Sequence, residues 1–449
     1  MTSGDSVRAT EHYLEVINRL NPKINAILTV TADLALEQAH AADKSTADGE
    51  WLGILHGVPM TVKDCLHVAG VRTTFGSGMY RDNIANSDSE VVRRIRRSGP
   101  VFLGKTNLAE FCYGATTQND HFGNCLNPWD LNRVSGGSSG GAGAAAAAGM
   151  CRIAFGSDTG GSVRNPASFC GVAGIRPTVG RIPNTNALAL SVHADTIGML
   201  AYNVTDVARG FAAIAGYDPA DPLSEDVPVD NFLPSLRDGI EGIKVGIPKS
   251  FYFENCQPDV VERVQTASKI IEKCGARLVD IDLKGAEEAR VATMPNLLAI
   301  DMADLYRDGV KNHPEKFGAE VLRRLKAGEP FTGMDYAHSL RVLVQWKHQF
   351  RRLFQDVDLI LFPTTPIVAP KFANAEDLQK ATHQISRNNV AIGYAGLPCL
   401  SVPVGFDSDG LPVGMLLVGE WFNEPLVFRA GVAYQSRTEF HKMRPKLAA

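Results

Sequence analysis

Gly136-Gly137-Ser138-Ser139-Gly140-Gly141 opens the stretch that decides the reading. An alanine-rich run follows from Ala142 to Gly149, then the β-type run Cys151 to Gly156, then Asp158-Thr159-Gly160-Gly161-Ser162-Val163-Arg164. Six glycines fall between Gly136 and Phe155, and their small volume permits close backbone approach. Gly143 to Gly149 reads as a tightly packed, buried helix, an explanation that does not extend to Gly136 to Gly141. The order is loop, helix, strand, loop, with serine in each loop where backbone is exposed. Consecutive glycines let successive N–H groups converge on one point, as an anion or a developing oxyanion requires.

Outward from this unit, the short runs Pro59 to Val62 and Val101 to Gly104 alternate with helical patterns, which predicts an α/β fold with buried, largely parallel strands. Helical spacing from Ser6 to Leu20 and from about Thr31 to Asp43 brackets Asn21-Pro22 and the apolar run Ile24 to Val30. These two helices are expected to pack outside the core. Residues from about 250 to 357 are charge-rich and helical in pattern, starting at Pro258 and including Val321 to Leu325 and Tyr336 to Phe354, and are read as a helical insertion. Strand signals return at Asp358 to Phe362, Leu400 to Val404 and Val413 to Val418. The last two are separated by the turn Asp407-Ser408-Asp409-Gly410, and a final helix starts near Glu424. Without an internal repeat or a low-complexity linker, the expectation is one domain over residues 1–449: N-terminal helices 1–50, a catalytic core of about 51–205 and 358–449, and the insertion of about 250–357.

Composition narrows the function. The 449 residues carry 45 Lys+Arg against 49 Asp+Glu, a formal net charge of −4, with no long basic tract to follow a phosphate backbone. No direct nucleic-acid partner is expected. The cluster Arg93, Arg94, Arg96 and Arg97 lies in an amphipathic stretch from Ser89 and reads as a solvated helix face. Eight cysteines without a CxxC pair argue against a zinc knuckle or a disulfide framework and fit reduced thiols. No run approaches the roughly 20 apolar residues of a membrane span, and the N-terminus lacks an export pattern. A cytoplasmic enzyme is expected, with no membrane partner.

The chemistry follows by exclusion. Neither glycine loop matches GxxxxGK[ST], and no GxGxxG opens a helix with an acidic residue suitably downstream, so a nucleotide site is disfavoured. GxSxG is absent around both serines, and none of the eleven histidines lies in either loop. The histidines also lack HExxH or comparable ligand spacing, so neither metal nor cofactor is expected. Lysine is the best candidate for the activator, since burial makes an ammonium costly and can turn the amine into a general base. Lys63 ends the run Val58-Pro59-Met60-Thr61-Val62, where a strand's C-terminal end delivers a side chain into a crevice of an α/β sheet. A surface lysine is the plainer alternative.

His56-Gly57-Val58-Pro59-Met60-Thr61-Val62-Lys63-Asp64, the Gly136 to Gly141 loop, and Gly156-Ser157-Asp158-Thr159-Gly160-Gly161-Ser162 together resemble the amidase-signature family in order and spacing. Further similarity lies in Asn127-Pro128-Trp129-Asp130-Leu131, in Gly171-Val172-Ala173-Gly174-Ile175-Arg176-Pro177-Thr178, and from Gly396-Leu397-Pro398 through Gly414. The resemblance spans nearly the whole chain. It implies a large mixed, twisted β-sheet flanked by α-helices on both sides. It also implies a Ser-cisSer-Lys triad with Ser162 as nucleophile, Ser138 as proton shuttle after a cis Gly137–Ser138 peptide, and Lys63 as base; the spacings of 75 and 24 residues fit.

On that resemblance the oxyanion hole is the N–H groups of Thr159, Gly160, Gly161 and Ser162. Asp158 and Ser139 are expected to orient the loops, with Asp158 also tuning the charge of Lys63. Arg164 either meets an anionic substrate group or braces its loop. Cys112, Tyr113 and Gly114 occupy the region that lines the acyl pocket in the family, an ordinary core contact being equally open for Cys112. The leading expectation is a free-standing amidase on a small or medium carboxamide, releasing ammonia or an amine from a small-molecule substrate. Three alternatives stand beside it: a ureide or carbamate hydrolase, the glutaminase subunit of a tRNA amidotransferase, and a catalytically silent assembly subunit. Phe111-Cys112-Tyr113-Gly114-Ala115-Thr116-Thr117 departs from the pattern expected of the glutaminase and counts against that alternative. Oligomeric state is not legible, and a homodimer stays open.

Overall fold

The strand Pro59–Lys63 is buried at every position, as is its neighbour Val101–Thr106, which is why both read as apolar runs rather than as alternation. The computed structural model describes residues 4–448, apart from the side chains at 375 and 376. Among these residues, eleven strands form one mixed sheet in the order Ile27–Val30, Val101–Thr106, Pro59–Lys63, Ile153–Asp158, Thr196–Ala201, Ala173–Arg176, Cys399–Phe406, Pro412–Gly419, Leu359–Pro363, Lys244–Pro248, Arg277–Ile281. Helices cover the sheet as the resemblance implied.

The expectation of largely parallel strands is corrected. Pro59–Lys63 runs parallel to both of its neighbours, and Lys244–Pro248 to both of its own; the other neighbouring pairs are antiparallel. The connections explain the split. Helices Glu90–Arg97 and Pro258–Lys273 provide the crossovers that parallel pairing needs, whereas the turn at 407–410 folds Cys399–Phe406 straight back onto Pro412–Gly419.

Two further boundaries differ from expectation. Helix Pro258–Lys273 and strand Arg277–Ile281 belong to the sheet, so the purely helical insertion starts only at Ala286 and ends at Leu353. The N-terminal helices Asp5–Ile24 and Ala32–Ala47 do not lie outside the core. Ile17, Leu20, Ile24, Ala35 and Ala39 are buried in one apolar cluster with Ala144 to Ala148, Val101 and Leu103. The buried helix Gly140–Ala147 carries side chains too small to close that space themselves, so longer side chains from outside fill it.

Candidate active site

Lys63 is the last residue of its strand, and its wholly buried amine stands 2.6 Å from Ser138 Oγ and 2.9 Å from Ser157 Oγ. The Gly137–Ser138 peptide is cis. A Cβ on Gly137 would lie 2.6 Å from Thr116 N and 2.7 Å from Ala115 C, so the backbone there admits only glycine. Ser139 ties the two serine loops together: its N–H donates to the Ser162 carbonyl at 3.1 Å and its hydroxyl to the Ser157 carbonyl at 3.0 Å. Ser162 is partly exposed on a cavity, and among the described residues its hydroxyl makes no hydrogen bond.

The second loop hangs on Asp158. Its buried carboxylate accepts from the N–H groups of Gly161 at 2.9 Å and Val163 at 3.0 Å, and from the guanidinium groups of Arg164 at 2.8 Å and Arg176 at 3.1 Å. Burial pushes this carboxyl up, but the two arginines and the backbone donors outweigh it and hold it well below the usual carboxylate range. The charge is thereby spent on arginine rather than on Lys63. The Gly161 N–H is committed to Asp158 and is therefore not free for an oxyanion. Arg164 is fully buried, contacts Asn389 as well as Asp158, and does not line the cavity.

Thr159 is fixed from the other side. Its hydroxyl donates to Asp195 Oδ1 at 2.5 Å, while Asp195 Oδ2 accepts the N–H groups of Leu190 at 2.5 Å and Ser191 at 3.0 Å. The sequence reading missed Asp195, because a lone carboxylate in a loop carries no spacing signal.

The cavity over Ser162 measures about 200 Å³. Cys112, Tyr113 and Gly114 line it, as do Arg324, Thr382 and His383, which sequence reasoning did not single out. Phe111 and Cys112, at φ 50° and 59°, are consecutive non-glycine residues in the left-handed region, a conformation that turns the Cys112 side chain under the cavity. Arg324 Nε donates to Glu320 Oε1 at 2.6 Å and Nη2 to Thr382 Oγ1 at 2.5 Å; Nη1 has no partner among the described residues. No Asp or Glu is among the described residues that line the cavity. Past Leu190 and Phe331 it adjoins a wider cleft of about 980 Å³.

Residues 8–428 match the family model described as Amidase. The chain belongs to the amidase-signature family. It is accordingly a hydrolase-type enzyme of that family, with the family's fold. It is 39% identical to a glutamyl-tRNA(Gln) amidotransferase subunit from Moorella thermoacetica, over 98% of this chain and 95% of that one. Among solved structures, a protein from a vestigial complex bearing on the evolutionary origins of an s-triazine catabolic enzyme superposes with a TM-score of 0.91 at 32% identity, covering 97% of this chain and 95% of that one. The corresponding glutamyl-tRNA(Gln) amidotransferase subunit from Thermotoga maritima gives 0.81 at 30%, covering 99% and 97%. Among the described residues no helix of this amidase-signature chain is long and apolar enough to cross a membrane.

Proposed function

We propose that this chain hydrolyses a C–N bond through a serine acyl-enzyme, with Ser162 as nucleophile, Ser138 as shuttle and Lys63 as base. The Lys63 amine accepts a proton through Ser138 as Ser162 Oγ attacks the carbonyl carbon. The N–H groups of Thr159, Gly160 and Ser162 hold the oxyanion, and the relay returns the proton to the departing nitrogen. Water then repeats the sequence and frees the acid. The observation that carries this reading is the 2.6 Å contact between Lys63 Nζ and Ser138 Oγ, buried beneath the cavity that Ser162 lines. Asp158, Arg164 and Ser139 act as braces that hold the two loops in register.

The partly unpartnered Arg324 guanidinium points to an acyl group that carries a carboxylate. Of the readings compatible with that, the amide-hydrolysing component of a tRNA amidotransferase has more support than a free-standing carboxamidase. The relatives named for that amidotransferase reach 39% identity over nearly the full length, despite the departure at residues 111–117. In that role glutamine is the substrate, partner subunits use the released ammonia, and the nucleic acid belongs to the assembly.

One observation favours a second reading. Glutamine carries an ammonium that calls for an acidic partner, and the described cavity wall offers none, whereas an anionic ureide or carboxamide without an amino group needs only Arg324. Ammonia release decides between them, measured with glutamine and with a panel of carboxylated ureides and carboxamides, beside Ser162→Ala. Glutamine turnover raised by copurifying partners supports the amidotransferase role. Turnover of the ureides by the chain alone supports the second reading. Absence of fluorophosphonate labelling at Ser162 in folded protein overturns the mechanism itself.

A further inference from the structure

The hydroxyl of Ser157 is a junction that the reaction does not use. It lies 2.9 Å from Lys63 Nζ, receives the Cys65 thiol at 3.7 Å and donates to Cys112 Sγ at 3.8 Å, so both thiols meet on one hydroxyl. Cys65 follows the Lys63 strand by two residues, and Cys112 forms part of the cavity wall. A pair of thiols beside a lysine amine, one of them facing a cavity, is an arrangement for two-electron oxidation.

From this geometry we propose that Cys112 and Cys65 form a modification site for hydroperoxides, closing to a Cys65–Cys112 disulfide under the acyl cavity. In the first step Cys112 sulfur attacks one peroxide oxygen of hydrogen peroxide; the O–O bond breaks, leaving Cys112–SOH and hydroxide, which takes the thiol proton to become water. In the second, Cys65 sulfur attacks the Cys112 sulfur, and the S–O bond breaks to give the disulfide and a second water. Two thiols lose two electrons and one peroxide gains them.

Titration behaviour agrees with this order. Burial pushes Cys112 up, but the neighbouring Cys65 thiol, the nearby Lys63 and the hydrogen bond from Ser157 reverse that and bring it down to about 6, while burial drives Cys65 well up. The other thiols move only upward, to about 12 for Cys125 and Cys151 and about 11 for Cys256 and Cys399. Cys256 and Cys274, the two partly exposed thiols, therefore serve as internal comparators.

The test exposes the full-length protein to graded hydrogen peroxide, then unfolds it in N-ethylmaleimide and maps its peptides by mass spectrometry. Of eight free thiols, the two at Cys65 and Cys112 are expected to lose maleimide reactivity first, in a linked peptide that dithiothreitol reverses. In Cys65→Ser, dimedone should trap Cys112 as its sulfenic acid. Oxidation of Cys256 and Cys274 with Cys65 and Cys112 still reactive would overturn the proposal, as would Cys112 oxidation without the link in the natural chain. If Cys65→Ser does not fold, the mapping of the natural chain still decides. Neither readout depends on Ser162, so a failed acyl-enzyme assay and a failed thiol pair are told apart.

Discussion

Replacing Asp158 by Asn removes what is, among the described residues, the only carboxylate bonded to both Arg164 and Arg176, while nearly preserving shape. All three side chains are fully buried, so solvent does not screen the change. Breaking a buried ion pair by removing one partner costs about 3–5 kcal/mol, because a charge is left uncompensated; here two guanidinium groups share the loss. Against a typical total stability of about 5–15 kcal/mol, that is a large fraction. Urea unfolding should show the loss, and fluorophosphonate labelling of Ser162 should slow as well, since the carboxamide keeps only one acceptor oxygen for the N–H groups of Gly161 and Val163. The pH dependence has a definite sign. Asp158 is held below its ordinary value of 3.8, so its contribution is fully present above that pH and drains away as pH falls through the depressed value. The stability gap between the natural chain and Asp158→Asn should therefore be flat at neutral pH and narrow in acid. A loss under about 1 kcal/mol with undiminished labelling, the size expected of an exposed pair, would refute the bracing role.

Other outcomes follow from the same geometry. Lys63→Ala should lower turnover by about 10²- to 10⁴-fold with an unchanged far-UV spectrum, and near-full activity would remove Lys63 from the mechanism. Arg324→Ala should raise KM for a carboxylate-bearing amide by roughly 10- to 100-fold, from about 1.5–3 kcal/mol for a charge-assisted hydrogen bond, and leave a neutral amide nearly unaffected; equal losses on both would make Arg324 structural. Gly137→Ala forces a methyl against the backbone of Ala115 and Thr116, and should cost about 1–3 kcal/mol in chemical denaturation and abolish labelling of Ser162. Ammonia release should be unchanged by chelators, and a reversible loss restored by added metal would contradict the serine mechanism.

What the sequence disclosed, and what it withheld, follows from the range over which each feature is encoded. The two serine loops, the Ala-rich helix and the strand ending at Lys63 are local patterns, and the structure brings Lys63 and Ser138 together across 75 residues. Strand direction was less legible, because an apolar run in a buried antiparallel strand such as Pro412–Gly419 reads the same as one in a parallel strand. Arg324 was hidden for a different reason. It follows Arg323 on the helix Ala319–Gly328, and both lie one turn from Glu320, so the segment reads as an ordinary surface salt bridge.

In the folded chain one of the two adjacent arginines turns inward, to Thr382, while the other reaches Gln379. Ser157 lies in a contiguous motif that gives its hydroxyl no partner; the partner, Lys63, arrives only once strand Pro59–Lys63 is laid beside Ile153–Asp158 in parallel register. The proposed catalytic groups are thus written in local motifs, two serine loops and the end of one strand. Arg324, the proposed anchor of the acyl group, comes from a separate helical segment whose sequence carries no mark of the cavity it lines. On the proposed function, substrate choice can change within the helical insertion while Lys63, Ser138 and Ser162 stay in place, and the Arg324 experiment measures that separation directly.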